Sequence, residues 1–305
     1  MASDAYEAEL AKSVGRTPCV SAKRGSFSEL RFSFALTLPD GELDYENLDT
    51  SLTFQGQELP DLTDDELREA LEQLPCCVTN ADNDADGDPL NIVLVGDSEE
   101  MMFALTRSGW SFTHRITAKT VRRLVAATLG GEGYAVAPVS SLYVFGRKQD
   151  IALQRARQNI AQRNHMRLWL APFTHGDLPV WVGQISRDIG VKLTTKSPSL
   201  TTHIIDPEVD LTREYLLHSL LAEGYVQRFG FVNGSTYASV DEPAQNLTGD
   251  PYYSDGLRLV VMLSRLPVPY SQVRGLLWEQ SDAPIAEGQT EAANDNVRPI
   301  SAESL

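Results

Sequence analysis

Period-two alternation dominates the middle of the chain. Residues 163–170 read RNHMRLWL. As a strand they place His165, Arg167 and Trp169 on one face and Met166, Leu168 and Leu170 on the other, because successive side chains point to opposite sides. The second face reads as core; the first is either solvated surface or a row of groups aimed at a ligand. PVWVGQIS supplies an antiparallel partner across THGDLP, where Gly176-Asp177 fits a two-residue type II′ turn. That register sets His165 against Asp188, Arg167 against Ser186, and Trp169 against Gln184. On the reverse face Leu168 meets Ile185 and Leu170 meets Gly183. Arg187 falls on that apolar face, opposite Met166, unless a bulge or the strand's end frees it.

The flanking pattern mixes strands with helices. LNIVLVG is a continuous apolar run that predicts a buried strand, and Asp97 is placed to cap a helix from Ser98, with Glu100 completing a capping box. That helix ends at Gly109, which suits a left-handed terminus. Further helices are expected over TDDELREALEQL, stopping at Pro75, over 117–129, and from Pro207 to about Glu223, capped by Asp206 and closed by Gly224. Strands are expected at LRFSFALTL, SLTFQ, LYVF, YVQRFGFV and LRLVVMLS. The fold class this predicts is α+β, a mixed, largely antiparallel sheet with helices packed against it. Residues 1–75 read as an acidic N-terminal extension or subdomain, 76–280 as the main domain, and 281–305 as a disordered polar tail.

Composition changes this picture mainly through charge. The 305 residues, 42% hydrophobic and 22% charged, describe a soluble globular protein with a sizeable core. No run approaches the roughly 18–20 apolar residues of a bilayer span, and the start carries no export leader. The net charge of −16 conceals an asymmetry: residues 1–88 come to −14, whereas 147–196 hold nine basic groups against three aspartates. A globally acidic chain repels nucleic acid, so that class of partner is disfavoured. The basic surplus sits in the segment with the alternating strand, which favours an anion there or internal pairing with the chain's own acids. Cys19, Cys76 and Cys77 make no disulfide framework and read as inert thiols, since neighbouring cysteines rarely bridge.

The candidate chemistry gathers on the polar strand face. A carboxylate opposite a histidine fixes the imidazole tautomer and raises its basicity, which gives His165 and Asp188 an acid–base use. His203, on the approach to the Asp206 helix, joins them as a third candidate. Arg147, Arg163, Arg167 and Arg187 are the candidate anion ligands, since guanidinium holds phosphate or carboxylate bidentately. Trp169, Gln184 and Asp206 are expected to complete the wall. No zinc spacing is present, DNDADGD at 82–88 lacks the closing Glu of a calcium loop, and no phosphate loop or GxSxG elbow occurs, so no metal is assigned and no cofactor is identified.

Residues from about Leu74 to Glu279 resemble the LssY-like C-terminal domain family, a bacterial domain. The resemblance rests on LPCCVTNADNDADGDPLNIVLVG, SGW at 108–110, APVSSLYVFGRKQDIALQRARQNIAQRNHMRLWLAPF, PVWVGQISRDIGV, LTTHIIDPEVDLTRE and NLTGDPYYSDGLRLVVMLS. It carries over no reaction. Some relatives join this domain to membrane segments, including phosphatidic-acid-phosphatase-type domains, which implies an envelope or lipid-phosphate setting by association. Three functions are therefore expected in order: binding of an anionic small molecule or lipid head group; a phosphoester or ester hydrolase with His165 as general base; and a protein-interaction module. Compartment and protein partner are not indicated by the sequence.

Overall fold

In the computed structural model, residues 53–113, 141–159, 162–193 and 201–279 are described. All lie in the compact unit that spans Glu42–Leu305. The expected hairpin near 30–38, the helix over 117–129 and the tail from 281 lie outside the described residues. Thr53 and Phe54, expected in a strand, belong instead to a helical turn.

A mixed sheet forms the centre. Its strands are β3 (Ile92–Val95), β4 (Ser111–Phe112), β7 (Ile151–Asn159), β8 (Gln162–His175), β9 (Leu178–Leu193), β11 (Val226–Ala238), β14 (Ser254–Leu263) and β15 (Arg274–Gly275). They lie in the order β15-β11-β14-β3-β9-β8-β7-β4, β10 (Thr201–Ile205) pairs with β9 beyond this path, and β12 (Ala244–Gln245) pairs with β13 (Pro251–Tyr252) in a separate ribbon. The pairings β14–β3 and β11–β15 are parallel and the others antiparallel. The α+β architecture with a largely antiparallel sheet is thus as expected.

Alternation decides which layer each residue serves. Ile92, Leu94, Met166, Leu168, Leu170, Leu259 and Val261 enter one hydrophobic core with helices α2 (Ser98–Arg107) and α3 (Val209–Glu223). Val93, Val95, Trp169, Ala171, Val260 and Met262 enter a second core on the opposite face. That face is covered by helix α1 (Asp64–Glu72) and by residues of a small sheet, β2-β1-β5-β6, formed by β1 (Cys77–Thr79), β2 (Asp86–Pro89), β5 (Tyr143–Val144) and β6 (Arg147–Lys148). Burial on both faces explains why LNIVLVG and LRLVVML are continuous apolar runs. It also overturns the choice between wet surface and open ligand face for β8: its polar side lies under a second layer.

The helices follow their caps. Asp97 accepts from the Glu100 amide at 2.9 Å, as expected, and the Glu100 carboxylate meets both the Asp97 backbone amide and Arg265, the latter at 3.1 Å. Thr63 and Glu66 do form a reciprocal box at the start of α1. Helix α3 begins two residues later than expected. Its N-cap is Glu208, and Asp206 instead accepts from the Glu208 amide at 3.1 Å in a local turn. Gly224 closes α3 in the left-handed conformation.

The β8–β9 turn is type I′ rather than II′, since both Gly176 and Asp177 have positive φ, which aspartate tolerates better than most residues. The expected register holds beside the turn, where Thr174 faces Pro179. A bulge between Leu170 and Thr174 then slips it by two residues: His165 faces Ser186, Arg167 faces Gln184 and Trp169 faces Val182. A two-residue slip preserves side-chain parity, so the polar row stays on one face. Gly183 is required at its position, because a Cβ there would lie 2.6 Å from Leu168 Cδ2 and 2.9 Å from the Arg167 carbonyl oxygen.

The hairpin tip is tied to α1. Asp64 pairs with Arg228 at 2.6 Å and lies 3.3 Å from His175 Nε2. The Arg228 hydrogen bond holds the Asp64 carboxyl below its ordinary value of 3.8 despite some burial. A carboxyl whose folded pKa is depressed contributes stability above its unfolded value and loses it as pH falls through the folded one. Between pH 5 and pH 2 the urea midpoint of the wild-type chain is therefore expected to fall further than that of Asp64→Asn. Equal acid sensitivity in the two would show that the ion pair contributes nothing to folding.

Candidate functional site

The polar face of β8 and β9 builds one buried cluster. Arg163, His165 and Arg167 occupy alternate positions of β8, and Gln184, Ser186 and Asp188 occupy alternate positions of β9. Arg163 is 2%, His165 6% and Arg167 4% exposed; the three β9 residues are at 0%. Charged groups so deeply buried must be paired or bonded, and these are.

Asp188 sits between two basic groups. Its Oδ2 accepts from Arg163 Nε at 3.0 Å, and its Oδ1 lies 3.0 Å from His165 Nδ1. The imidazole contact is close but not aligned as a hydrogen bond. Arg163 also donates to Gln154 Oε1. On the other ring nitrogen, His165 Nε2 lies 3.0 Å from Ser186 Oγ. Ser186 Oγ accepts from Gln184 Nε2 at 2.7 Å, and Gln184 Oε1 accepts from Arg167 Nη1 at 3.0 Å. A continuous line of contacts thus runs from Arg167 through Gln184, Ser186, His165 and Asp188 to Arg163 and Gln154.

A second carboxylate faces this line from the covering layer. Asp88, on β2, is buried, and its Oδ1 accepts from Asn246 Nδ2 at 3.1 Å. Burial pushes its pKa above the ordinary 3.8, opposed by the positive charge of His165 and Arg167 and reinforced by Asp188. Asp88 was hidden at the end of DNDADGD, where the run of acids reads as a solvated turn. Its place on β2, with the burial of Asp88 to Leu90, is what turns it inward.

The remaining expected site residues go elsewhere. Arg147 pairs with Asp150 and donates to the Leu170 carbonyl, five residues along β8 from His165 and so about 17 Å away at strand spacing. Trp169 is core: fully buried, with Nε1 donating to the Arg147 carbonyl at 3.2 Å. Arg187 lies by alternation on the opposite face of the sheet, where it pairs with Asp206. Asp206 is thereby committed to Arg187 and its local turn. His203 lies on β10 in register with Val191, one strand beyond Asp188, and its side chain is outside the described residues. Among the described residues no group of three His, Cys, Asp or Glu side chains is arranged to hold a metal ion. A shallow open cleft lined by Phe54, Glu58, Leu59, Thr174 and Asp177 sits at the hairpin tip, away from the buried cluster.

A model of the family described as LssY C-terminus matches residues 68–257, well over half of the chain. The chain belongs to the LssY C-terminus family. The matched span of this LssY C-terminal domain contains every member of the buried line of contacts and Asp88. No curated protein and no solved structure matches the chain. No described helix is long and apolar enough to cross a membrane.

Cys76 and Cys77, expected as separate thiols, are joined as a disulfide between adjacent residues. It sits at the entry to β1, where the Cys76 carbonyl accepts from Leu90 N at 2.9 Å.

Proposed function

We propose that the LssY C-terminal domain binds a phosphate-bearing small molecule or lipid head group at the β8 face formed by Arg163, His165 and Arg167. The observation that carries this reading is the placement of those three basic side chains at alternate positions of one strand, in a single buried cluster. Their charge is balanced by Asp188 and by Asp88. Asp188 is locked between Arg163 and His165, whereas Asp88 is driven toward its neutral form by burial. Asp88 acts as an internal stand-in for the ligand: when it protonates, or when β2 moves aside, the Arg167 guanidinium, beside His165, meets an incoming oxyanion. Guanidinium and imidazole N–H donors together suit a phosphate.

Binding is tested by calorimetric titration of the full chain with inorganic phosphate, and by sedimentation with phosphatidylcholine vesicles with and without phosphatidic acid. Arg167→Gln is expected to weaken phosphate binding by roughly 10- to 100-fold, the loss of one charge-assisted hydrogen bond of about 1.5–3 kcal/mol. Asp88→Asn is expected to tighten it, since the amide keeps the size of the carboxyl and removes the competing charge. Indifference to both substitutions would remove the site. Binding to phosphatidic acid vesicles but not to inorganic phosphate identifies a lipid head group as the source of the phosphate.

A further inference from the structure

We propose that Ser186 is the nucleophile of a serine–histidine–aspartate arrangement with His165 and Asp188, and that it gives the domain hydrolase activity toward esters carrying a negative charge. The inference shares His165 and Arg167 with the anion-binding reading and rests on it for the charge of the substrate. The role of Ser186 is a separate claim.

The order of donors and acceptors carries it. Arginine has donors only, so the Arg167 end of the line orients the Gln184 amide. Arg167 Nη1 donates to Gln184 Oε1 at 3.0 Å, which turns the amide nitrogen toward Ser186. Gln184 Nε2 donates to Ser186 Oγ at 2.7 Å. The hydroxyl keeps its hydrogen to donate, and its other neighbour is His165 Nε2, at 3.0 Å. An imidazole accepting at Nε2 carries its proton on Nδ1, which lies 3.0 Å from Asp188 Oδ1 without hydrogen-bond alignment. This tautomer is assigned from the network. Arg163 braces the far oxygen of Asp188 at 3.0 Å.

A hydroxyl aimed at one ring nitrogen, with a carboxylate against the other, is the geometry in which imidazole accepts the hydroxyl proton as the oxygen attacks. Arg167 emerges two residues from His165 on the same face of β8, where it meets the negative charge of the ester. The sequence offers no elbow motif because this serine lies within a long strand, between Gln184 and Asp188, and becomes visible only through the register. Ser186 is fully buried beneath the layer that contains β2, so the substrate reaches it only when that layer is displaced.

In the first step the Ser186 Oγ bond to the acyl carbon or phosphorus forms, the serine proton passes to His165 Nε2, and the bond to the leaving oxygen breaks as that oxygen takes the proton from the imidazolium. Water then attacks the esterified serine and gives a proton to His165. That proton returns to Ser186 Oγ, and the acid product departs.

An alkyl phosphonofluoridate tests the step without knowledge of the natural ester. Attack forms a bond from Oγ to phosphorus, breaks the phosphorus–fluorine bond, and releases fluoride with the serine proton. The full folded chain is expected to gain one adduct, mapped by peptide mass to Ser186. The adduct is expected to be absent in Ser186→Ala and to form about 100-fold more slowly or worse in His165→Gln. No adduct on the folded wild-type chain, or an adduct mapped to another residue, overturns the proposal; the mapping needs no variant to fold. Inorganic phosphate binding by the wild-type chain, measured in parallel, separates the two claims. Phosphate binding without an adduct ends the nucleophile proposal alone, and an adduct with binding neither to inorganic phosphate nor to phosphatidic acid vesicles ends the anion reading alone.

Discussion

Arg258→Met is expected to lower the free energy of unfolding by about 3–5 kcal/mol, seen as a fall in the urea midpoint with an unchanged denaturant slope. The guanidinium is fully buried on β14 and has no carboxylate partner among the described residues. It donates instead to five backbone carbonyls, those of Leu71, Leu74, Pro75, Leu90 and Gly234. Burial pushes its pKa down to about 10, which leaves it charged at neutral pH. Three of those carbonyls belong to the end of α1 and the segment leading from it to β1, where a helix leaves unpaired acceptors and a negative dipole end. Arg258 therefore joins the covering layer to the central sheet. Methionine matches the length but leaves those carbonyls without these donors, each costing about 1–3 kcal/mol where the backbone cannot reach water. Lysine supplies three donors against five acceptors, so Arg258→Lys should fall between methionine and wild type. A methionine variant as stable as wild type would mean that α1 docks without this tie.

Asp188→Ala is expected to cost a similar amount, about 3–5 kcal/mol, because it strips the carboxylate from the buried Arg163 guanidinium and from His165 Nδ1. The informative comparison is with Arg163→Met/Asp188→Leu, which removes both charges. Two charges in a dry interior cost several kcal/mol to desolvate, and an apolar pair avoids that cost. The double variant is therefore expected to be more stable than Asp188→Ala alone. A thermodynamic cycle with each single substitution should return a coupling of at least about 1.5 kcal/mol. Additive losses would show that Arg163 and Asp188 do not act as a pair.

The sequence was most legible where one local rule had no competitor. The apolar runs at 92–95 and 257–263 announced buried strands, Asp97 marked the start of a helix and Gly224 the end of another, because cap chemistry is local. The polar row of β8 was legible too, since parity survives any even slip. The partners were not. The bulge between Leu170 and Thr174 is marked only by Pro172, which cannot donate to the ladder but does not state the size of the slip, and it replaced Asp188 by Ser186 opposite His165. Asp188 still reaches the imidazole diagonally, from two residues along the same face.

What the pattern could not reveal was the second layer. An alternating strand reads as half-solvated, yet α1 and the short strands around Cys77 and Asp88 cover the polar side of β8 and β9. Those strands are two to four residues long and come from acidic, turn-rich sequence, so periodicity has nothing to act on. For the same reason alternation alone sets Trp169 in the wall of the site when it is core, and the acidic run makes Asp88 look solvated when it is buried. Arg147 and Arg187 enter the candidate set through the basic surplus of their segment, although the expected register already sets Arg187 on the apolar face. Asp150 and Asp206 claim them through contacts that only the fold defines.

The buried line places His165 at the meeting point of both functional readings, between Ser186 and Asp188 and within the field of Asp88 and Arg167. Phosphate entering this cluster changes the charge beside the imidazole, and the ring nitrogens report it directly. The decisive measurement is nitrogen NMR of the full chain labelled at histidine, with the His165 signals identified by their loss in His165→Gln, followed through a titration with inorganic phosphate. The account predicts a saturable shift of both His165 nitrogens that Arg167→Gln abolishes. His165 signals that stay fixed while the titration runs to completion would contradict it.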